Sequence, residues 1–461
     1  RQVLNLDMCR EVMAFIPGSS ADDFERDMLG MVRADAKPVP NSYRRVLIIL
    51  AKSGWTLMTH RRAIEALHER QTQWWRADVL DRRGQPRALL AESDRRFQEA
   101  MRLHVRTRML VQFGQAGVRS AAAAVGLEDR AIELFSGYGG LHDMVMAEDT
   151  WDLSRGKMGI ENFVARHGYY GPNVGNPVGR SWREDPGWPA ALAASLTDRP
   201  DSDHPRERER RAIARREQVE AEILRRTPVW RRPLVRRLLR LAGQYFRLLE
   251  AGKSSFLMAI DGARAAARDL GARLCTEGRV ADPDDPFYLS LNELLGPWPR
   301  DAAALIVSRR AQRLRFEKVA IPAVFTGMPR PMAVTEPAGT PDPDAGDHSA
   351  PVTGAPASPG YVEGTVRVVH DPGSAEPLEP GEILVCRMTD PGWAPLFLTA
   401  DGLVIDIGGT ASHGAIIARE LGIPSVIGTG DGSQRLRTGD LVGVDGTHGV
   451  VTVLRRAGAP A

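Results

Sequence analysis

The sequence predicts a multidomain α + α/β chain. A large, mainly helical domain covers residues 1–327, a Pro/Gly/Ala-rich linker covers 328–359, and a small α/β domain covers 360–461. Three observations carry this reading. Apolar residues recur at three- and four-residue intervals through most of the first part. A stretch dominated by Pro, Ala, Gly and Asp follows. Short β-rich runs bounded by Gly, Pro or Asp then take over. The length of 461 residues itself favours two or three domains.

The elements can be followed in order. "YRRVLIILAKSGWTLMTHRRAIEALHERQTQWWRADV" has helical spacing, and so has "SDRRFQEAMRLHVRTRMLVQFGQAGVRSAAAAVG", which ends in Gly126. "RHGYYGPNVGNPVGRSWREDPGW" (Arg166–Trp188) breaks the pattern and is a loop by its Gly, Pro and Asn content. "GQYFRLLEAGKSSFLMAIDGARAAARDLGARL" is helical again and ends near Gly278, and "RDAAALIVSRRAQRLRFEKV" closes the region. The linker is semi-rigid through its prolines, and roughly 30 residues span on the order of 100 Å when extended. Beyond it, "YVEGTVRVVH", "EILVCRM", "DGLVIDIG", "PSVIGTG", "DLVGVDG" and "VVTVL" read as strands of a mixed sheet, with the helix "HGAIIARELG" between two of them.

Composition narrows the function classes. No apolar run is long enough for a membrane span, and the first fifteen residues lack the pattern of a signal peptide. Cys9, Cys275 and Cys386 are too scattered for a metal site or disulfide framework, so buried thiols and a cytoplasmic location are expected. Net charge is only +3. The arginine-rich run Arg206–Arg240 is interrupted by glutamates and carries apolar residues at helical spacing, which argues against nucleic-acid binding.

The chemistry concentrates at Gly408–Gly428. "LVIDI" is a strand, "GGTAS" a tight turn, and His413 opens a helix that ends at Gly422. Gly408 and Gly409 permit the turn, while Gly414 leaves space beside the imidazole. The first-turn amides of a helix favour an anion. A neutral imidazole there, with the hydroxyls of Thr410 and Ser412 beside it, suits attack on a phosphoryl group, although a histidine at this position can also simply cap the helix or pack.

Gly408–Gly409–Thr410–Ala411–Ser412–His413–Gly414–Ala415, followed by "IIARELGIPSVIG", resembles the phosphohistidine swivelling domain of the phosphoenolpyruvate-utilising enzymes. "DPGWAPLF" (Asp390–Phe397) resembles the same domain, particularly its rifampin phosphotransferase branch. Upstream, "GYYGPNVGNPVGRSWREDP" (Gly168–Pro186) and "LLEAGKSSFLMAIDGARAAARDLGARL" with "DPFYLSLNEL" are similar to that branch's helical substrate-binding domain. Two positions depart from the pattern: Leu249 stands where an arginine is common, and Val174–Gly175 where a glutamate is common.

The resemblance implies a dikinase-type phosphotransferase. His413 would carry the phosphoryl group, with Ser412 beside it and Lys253 supporting the transfer. Gly408, Gly409, Thr410, Gly414, Arg247 and Arg183 would bind phosphate. His167, Tyr169, Tyr170 and Arg180 would meet the acceptor, with Trp151 and Phe163 as further lining and His142 as a second candidate base. ATP and Mg2+ would be bound by an ATP-grasp domain outside this chain, upstream or on a separate partner. The acceptor would be a hydroxyl of a small hydrophobic molecule. A biosynthetic enzyme that phosphorylates a hydroxyl to drive elimination or cyclisation, and a non-catalytic ligand-binding or phosphocarrier module, are the alternatives.

Overall fold

The computed structural model describes residues 43–81, 85–139, 142–172, 174–320, 350–372, 378–389, 391–410 and 412–458, with shorter pieces between residues 6 and 39 and between 325 and 333. The helical part is built on three long helices. The segment after Gln85 forms α2 (Pro86–Ala123), preceded by α1 (Tyr43–Trp74). The shorter α3 (His142–Ser154), α4 (Ile160–His167), α5 (Gly187–Ser195) and α6 (Pro205–Arg226) follow, and then the 45-residue α7 (Arg232–Thr276) and α8 (Ala302–Glu317). Helix α7 is the spine. Small residues let its neighbours approach: a Cβ on Gly262 would lie 2.5 Å from the Trp74 ring, and one on Gly271 would lie 1.9 Å from the Pro283 carbonyl oxygen.

The loop between α4 and α5 is bound to α7 by buried charge. Asp261, fully buried, accepts from Trp75 Nε1 at 2.9 Å, Arg183 Nε at 2.9 Å and Arg264 Nη1 at 3.2 Å. Glu184 takes Arg268 at 2.6 Å. A buried carboxylate is tolerable only when it is paired in this way.

The α/β domain is one eight-stranded sheet. Its strands are β1 (Val352–Thr353), β2 (Ala355–Ser358), β3 (Tyr361–Val368), β4 (Glu382–Cys386), β5 (Gly402–Ile405), β6 (Ser425–Ile427), β7 (Leu441–Asp445) and β8 (Val450–Arg455). Their spatial order is β1-β8-β7-β3-β4-β5-β6-β2, with β3 to β6 parallel and the outer pairs antiparallel. Strands β4, β5 and β6 are mostly apolar and buried on both faces, as central parallel strands must be. On β4, Ile383 and Val385 join one core while Leu384 and Cys386 join the other. Only Gly354 separates β1 from β2, so the two edges of the sheet meet there. A Cβ on Gly354 would lie 2.6 Å from the Ile427 carbonyl oxygen.

All six strands expected from the sequence are present. The sheet, however, begins at Val352, inside the stretch that composition assigns to the linker. Of the three thiols only Cys386 is buried; Cys9 and Cys275 are half-exposed. Among the described residues no helix is long and apolar enough to cross a membrane.

The two domains are docked. Helices α9 (Ala394–Thr399) and α10 (His413–Leu421) cover one sheet face. Met144 and Ala147 of α3 belong to the same apolar cluster as Leu396, Phe397 and Ile417. Ile416 belongs to the cluster formed by Tyr245, Phe246 and Leu249 of α7. Arg199 donates to Asp401 at 2.8 Å. Glu420 is fully buried, and both its carboxylate oxygens lie 3.0 Å from the Gly137 amide, which donates to them.

Burial pushes the Glu420 carboxyl up to about 7, with Glu209 adding to the rise while the Gly137 amide, Arg419 and Arg216 oppose it. A carboxyl that binds its proton more tightly when docked favours docking at low pH. That contribution is lost as pH rises from the ordinary carboxylate range through about 7. Small-angle scattering should therefore show a more expanded chain at about pH 8 than at about pH 5, and Glu420→Gln should remove the difference.

Candidate active site

Helix α10 starts where the sequence places it. Ser412 is its N-cap, with extended backbone and its hydroxyl accepting from the Ala415 amide at 3.4 Å. Gly422 closes it at φ 65°. Gly408 adopts φ 152°, and a Cβ there would lie 3.1 Å from Ser412 Oγ. A Cβ on Gly414 would lie 2.6 Å from Ile405 Cδ1 and 2.8 Å from Thr389 Oγ1, so the first turn presses against the end of β5. Gly409 is buried and Thr410 half-buried in the same turn. Asp406, at the end of β5, accepts from Thr429 Oγ1 at 2.7 Å and from the Ser433 amide at 3.0 Å, which fixes the strand end that precedes the turn. The backbone of His413 opens the helix; its side chain lies outside the described residues, as does Ala411.

A second polar cluster lies inside the helical domain. Lys253 Nζ sits 2.7 Å from Asp143 Oδ2 and 2.6 Å from Glu250 Oε2, all three buried. Tyr170 donates to the other Asp143 oxygen at 3.3 Å. His142 and His68 share a hydrogen bond between their Nε2 atoms at 3.0 Å, and His68 Nδ1 lies 3.3 Å from Ser255 Oγ. Helices α1, α3 and α7 thus each contribute to one buried cluster.

The electrostatics follow from burial. Burial opposes the charge of Lys253, but Asp143 and Glu250 outweigh it and raise its pKa. Burial, then the charge of Asp143, pushes Glu250 up to about 7. Burial, then His68, pushes His142 down to about 4, and burial lowers His68 as well. Both imidazoles are neutral near pH 7, one Nε2–H donating to the other ring. Such a pair can take a proton from a hydroxyl placed against it. Burial, then Arg108 and Lys253, holds His104 at about 4.

The remaining expected site residues are dispersed. Arg183 was expected to bind phosphate, but it is buried and committed to Asp261 and Glu184. Arg247 instead donates to the Tyr138 carbonyl oxygen at 2.6 Å. His167 is buried with Nε2 2.7 Å from Asp149, which also binds Arg166. Tyr169 is buried beside Tyr170 in the same core as Phe163. Trp151 is likewise buried, its ring against His204. Arg180 is exposed. Asp143, His68 and Ser255 were not singled out by the sequence, whereas Glu250, three residues before Lys253, is the pairing partner that helical spacing offers.

Among the described residues no cluster of His, Cys, Asp or Glu could hold a metal ion.

Residues 378–449 match the model of the PEP-utilising enzyme mobile domain, and residues 118–250 match that of the rifampicin phosphotransferase fourth domain. Two segments of this chain are thus similar to a PEP-utilising mobile domain and to a rifampicin phosphotransferase domain. The mobile-domain match contains α10 and its glycine turn; the fourth-domain match contains α3, α6, the loop at Asp261's partners and the first half of α7 up to Glu250. An uncharacterised protein of Mycobacterium tuberculosis is 36% identical over 217 residues, 47% of this chain and 24% of its own length. Rifampicin phosphotransferase of Streptomyces sviceus is 37% identical over 185 residues, 40% of this chain and 20% of its own length. Phosphoenolpyruvate synthase of Aeropyrum pernix is 50% identical over 101 residues, 22% of this chain and 12% of its own length. The matches thus span about a quarter or less of these relatives.

Lys253→Met would leave Asp143 and Glu250 together without their cation. Breaking a buried pair costs about 3–5 kcal/mol. The loss relative to wild type should be larger at about pH 8, where both acids must ionise or hold a proton at a cost, than at about pH 5. Urea unfolding at the two pH values measures it.

Proposed function

We propose that this chain is the acceptor half of a phosphotransferase in which His413 carries a phosphoryl group to a hydroxyl of a small hydrophobic molecule. The phosphoryl group would come from ATP bound on an ATP-grasp domain outside the chain. The supporting observation is the docked arrangement. Ile416, three residues after His413, shares a cluster with Leu249, one turn before Lys253. Met144, beside Asp143, shares the other cluster with Phe397 and Ile417. Docking through α10 therefore brings the helix that His413 opens against the elements that hold Lys253, Asp143, His142 and His68.

The roles follow from charge. The phosphorus of a phosphoryl group on His413 would be attacked by the acceptor oxygen, forming the O–P bond as the N–P bond breaks. The acceptor proton would pass to the neutral His142–His68 pair. Lys253, the fixed cation of the cluster, would offset the charge on the transferred oxygens, and the first-turn amides of α10 would hold the phosphoryl group before transfer. The aromatic core around Tyr169, Tyr170 and Phe163 suits a hydrophobic acceptor.

The test supplies β- and γ-labelled ATP separately to this chain, alone and joined to an ATP-grasp domain. Acid-labile label that requires both the ATP-grasp domain and His413, and is lost in His413→Ala, is the expected result. Absence of label in a folded, ATP-binding assembly would remove the reading. Label from the β position would match a dikinase split.

A further inference from the structure

A cleft of about 200 Å³ opens between the domains, away from the cluster at Lys253. One wall is α6, with Arg208, Arg211 and Arg215, and Asp203 just before it; the other is Asp401 and the turn at residues 421–424. The three arginines are spaced three and four apart, which sets them on one helix face.

The charges on these walls do not balance. Arg199 holds Asp401 at 2.8 Å and lies 3.7 Å from Asp203. Asp401 also accepts from the Gly381 amide at 2.5 Å. Asp203 is 3.9 Å from Arg208, too far for a hydrogen bond. Among the described residues, Arg211 and Arg215 have no carboxylate within ion-pair distance. Arg199 lies behind the wall and answers Asp401, and Arg208 stands nearest Asp203, so Arg211 and Arg215 are the two lining guanidiniums left without a carboxylate among the described residues. Burial, followed by neighbouring Arg199 and Arg211, makes Arg208 easier to deprotonate, a direction that an added anion would reverse. Arg215 lies 3.6 Å from the position of a Cβ on Gly422, close to the carbonyl end of α10, and the helix dipole accounts for part of its placement. No such group accounts for Arg211.

We propose that this cleft binds a phosphate or diphosphate group on the face of α6 that carries Arg208, Arg211 and Arg215, in the recess that docking closes. Two unopposed charges match a divalent anion, and guanidinium forks match phosphoryl oxygens in pairs. The space accepts one or two phosphoryl groups, with a nucleoside left outside. Because the walls come from two domains, the anion is a ligand of the docked chain, and this inference stands on the interface rather than on the phosphotransfer reading.

Calorimetric titration of the chain with inorganic phosphate, diphosphate and AMP, each at matched ionic strength, tests it. The expected result is one saturable site for diphosphate that weakens with added salt and is at least roughly tenfold weaker in Arg211→Glu. Arg211 is exposed, so the variant should keep the wild-type melting temperature, and Arg215→Ala should weaken binding by a smaller factor. Tighter binding of AMP than of inorganic phosphate would assign the phosphate to a nucleotide; equal binding would assign it to the free anion. No saturation by any of the three up to roughly 10 mM, or binding unchanged in folded Arg211→Glu, would overturn the proposal.

Discussion

A single buried carboxylate makes the docked arrangement possible. Glu420, near the end of α10, has no exposed surface, and both of its oxygens turn to the Gly137 amide of the other domain. Gly137 has φ 67°, and a Cβ there would lie 2.5 Å from the Ala212 backbone of α6. The close approach of three segments therefore needs a glycine, and the glycine's amide needs an acceptor. Arg216 of α6 donates to the Gly137 carbonyl oxygen, completing the same junction. Helix α10, which His413 opens, is thus anchored near its other end, seven residues away.

The charged residues of the helical domain divide by partner. Those of the Gly-Pro loop are consumed in holding it: Arg183 and Arg264 on Asp261, Arg268 on Glu184 and Asp284. The cluster at Lys253 is different. It places two buried acids on one buried cation, with two half-buried neutral histidines nearby. A structural role would be served by one acid. The surplus acid, Glu250, is held at about 7 and so changes protonation near neutral pH, while the histidine pair stays neutral there.

Much of the architecture was legible in the sequence, because it depends on local pattern. The strand runs, the helix at His413 and its closing cap at Gly422 were all readable. Strands β1 and β2 were not. Pro356 and the surrounding small residues look like linker, and only an edge strand tolerates such a proline. The site was half legible. Lys253 and His142 stood out, but their partners did not, since Asp143 and Lys253 lie 110 residues apart and meet only through helix packing. The partners of Arg183 and Arg247 were not readable either, because a motif shows where an arginine stands in the chain and not which carboxylate or carbonyl takes it.

Hydrogen exchange at the Gly137 amide is the most direct measurement of this account. The amide is bound to Glu420 only while α10 is docked, so its exchange reports docking itself. Slow exchange in the wild-type chain, accelerated to the rate of an open loop in Glu420→Ala while the cores of both domains stay protected, is the predicted result. Fast exchange at Gly137 in the folded wild-type chain would contradict the docked arrangement on which the proposed transfer depends.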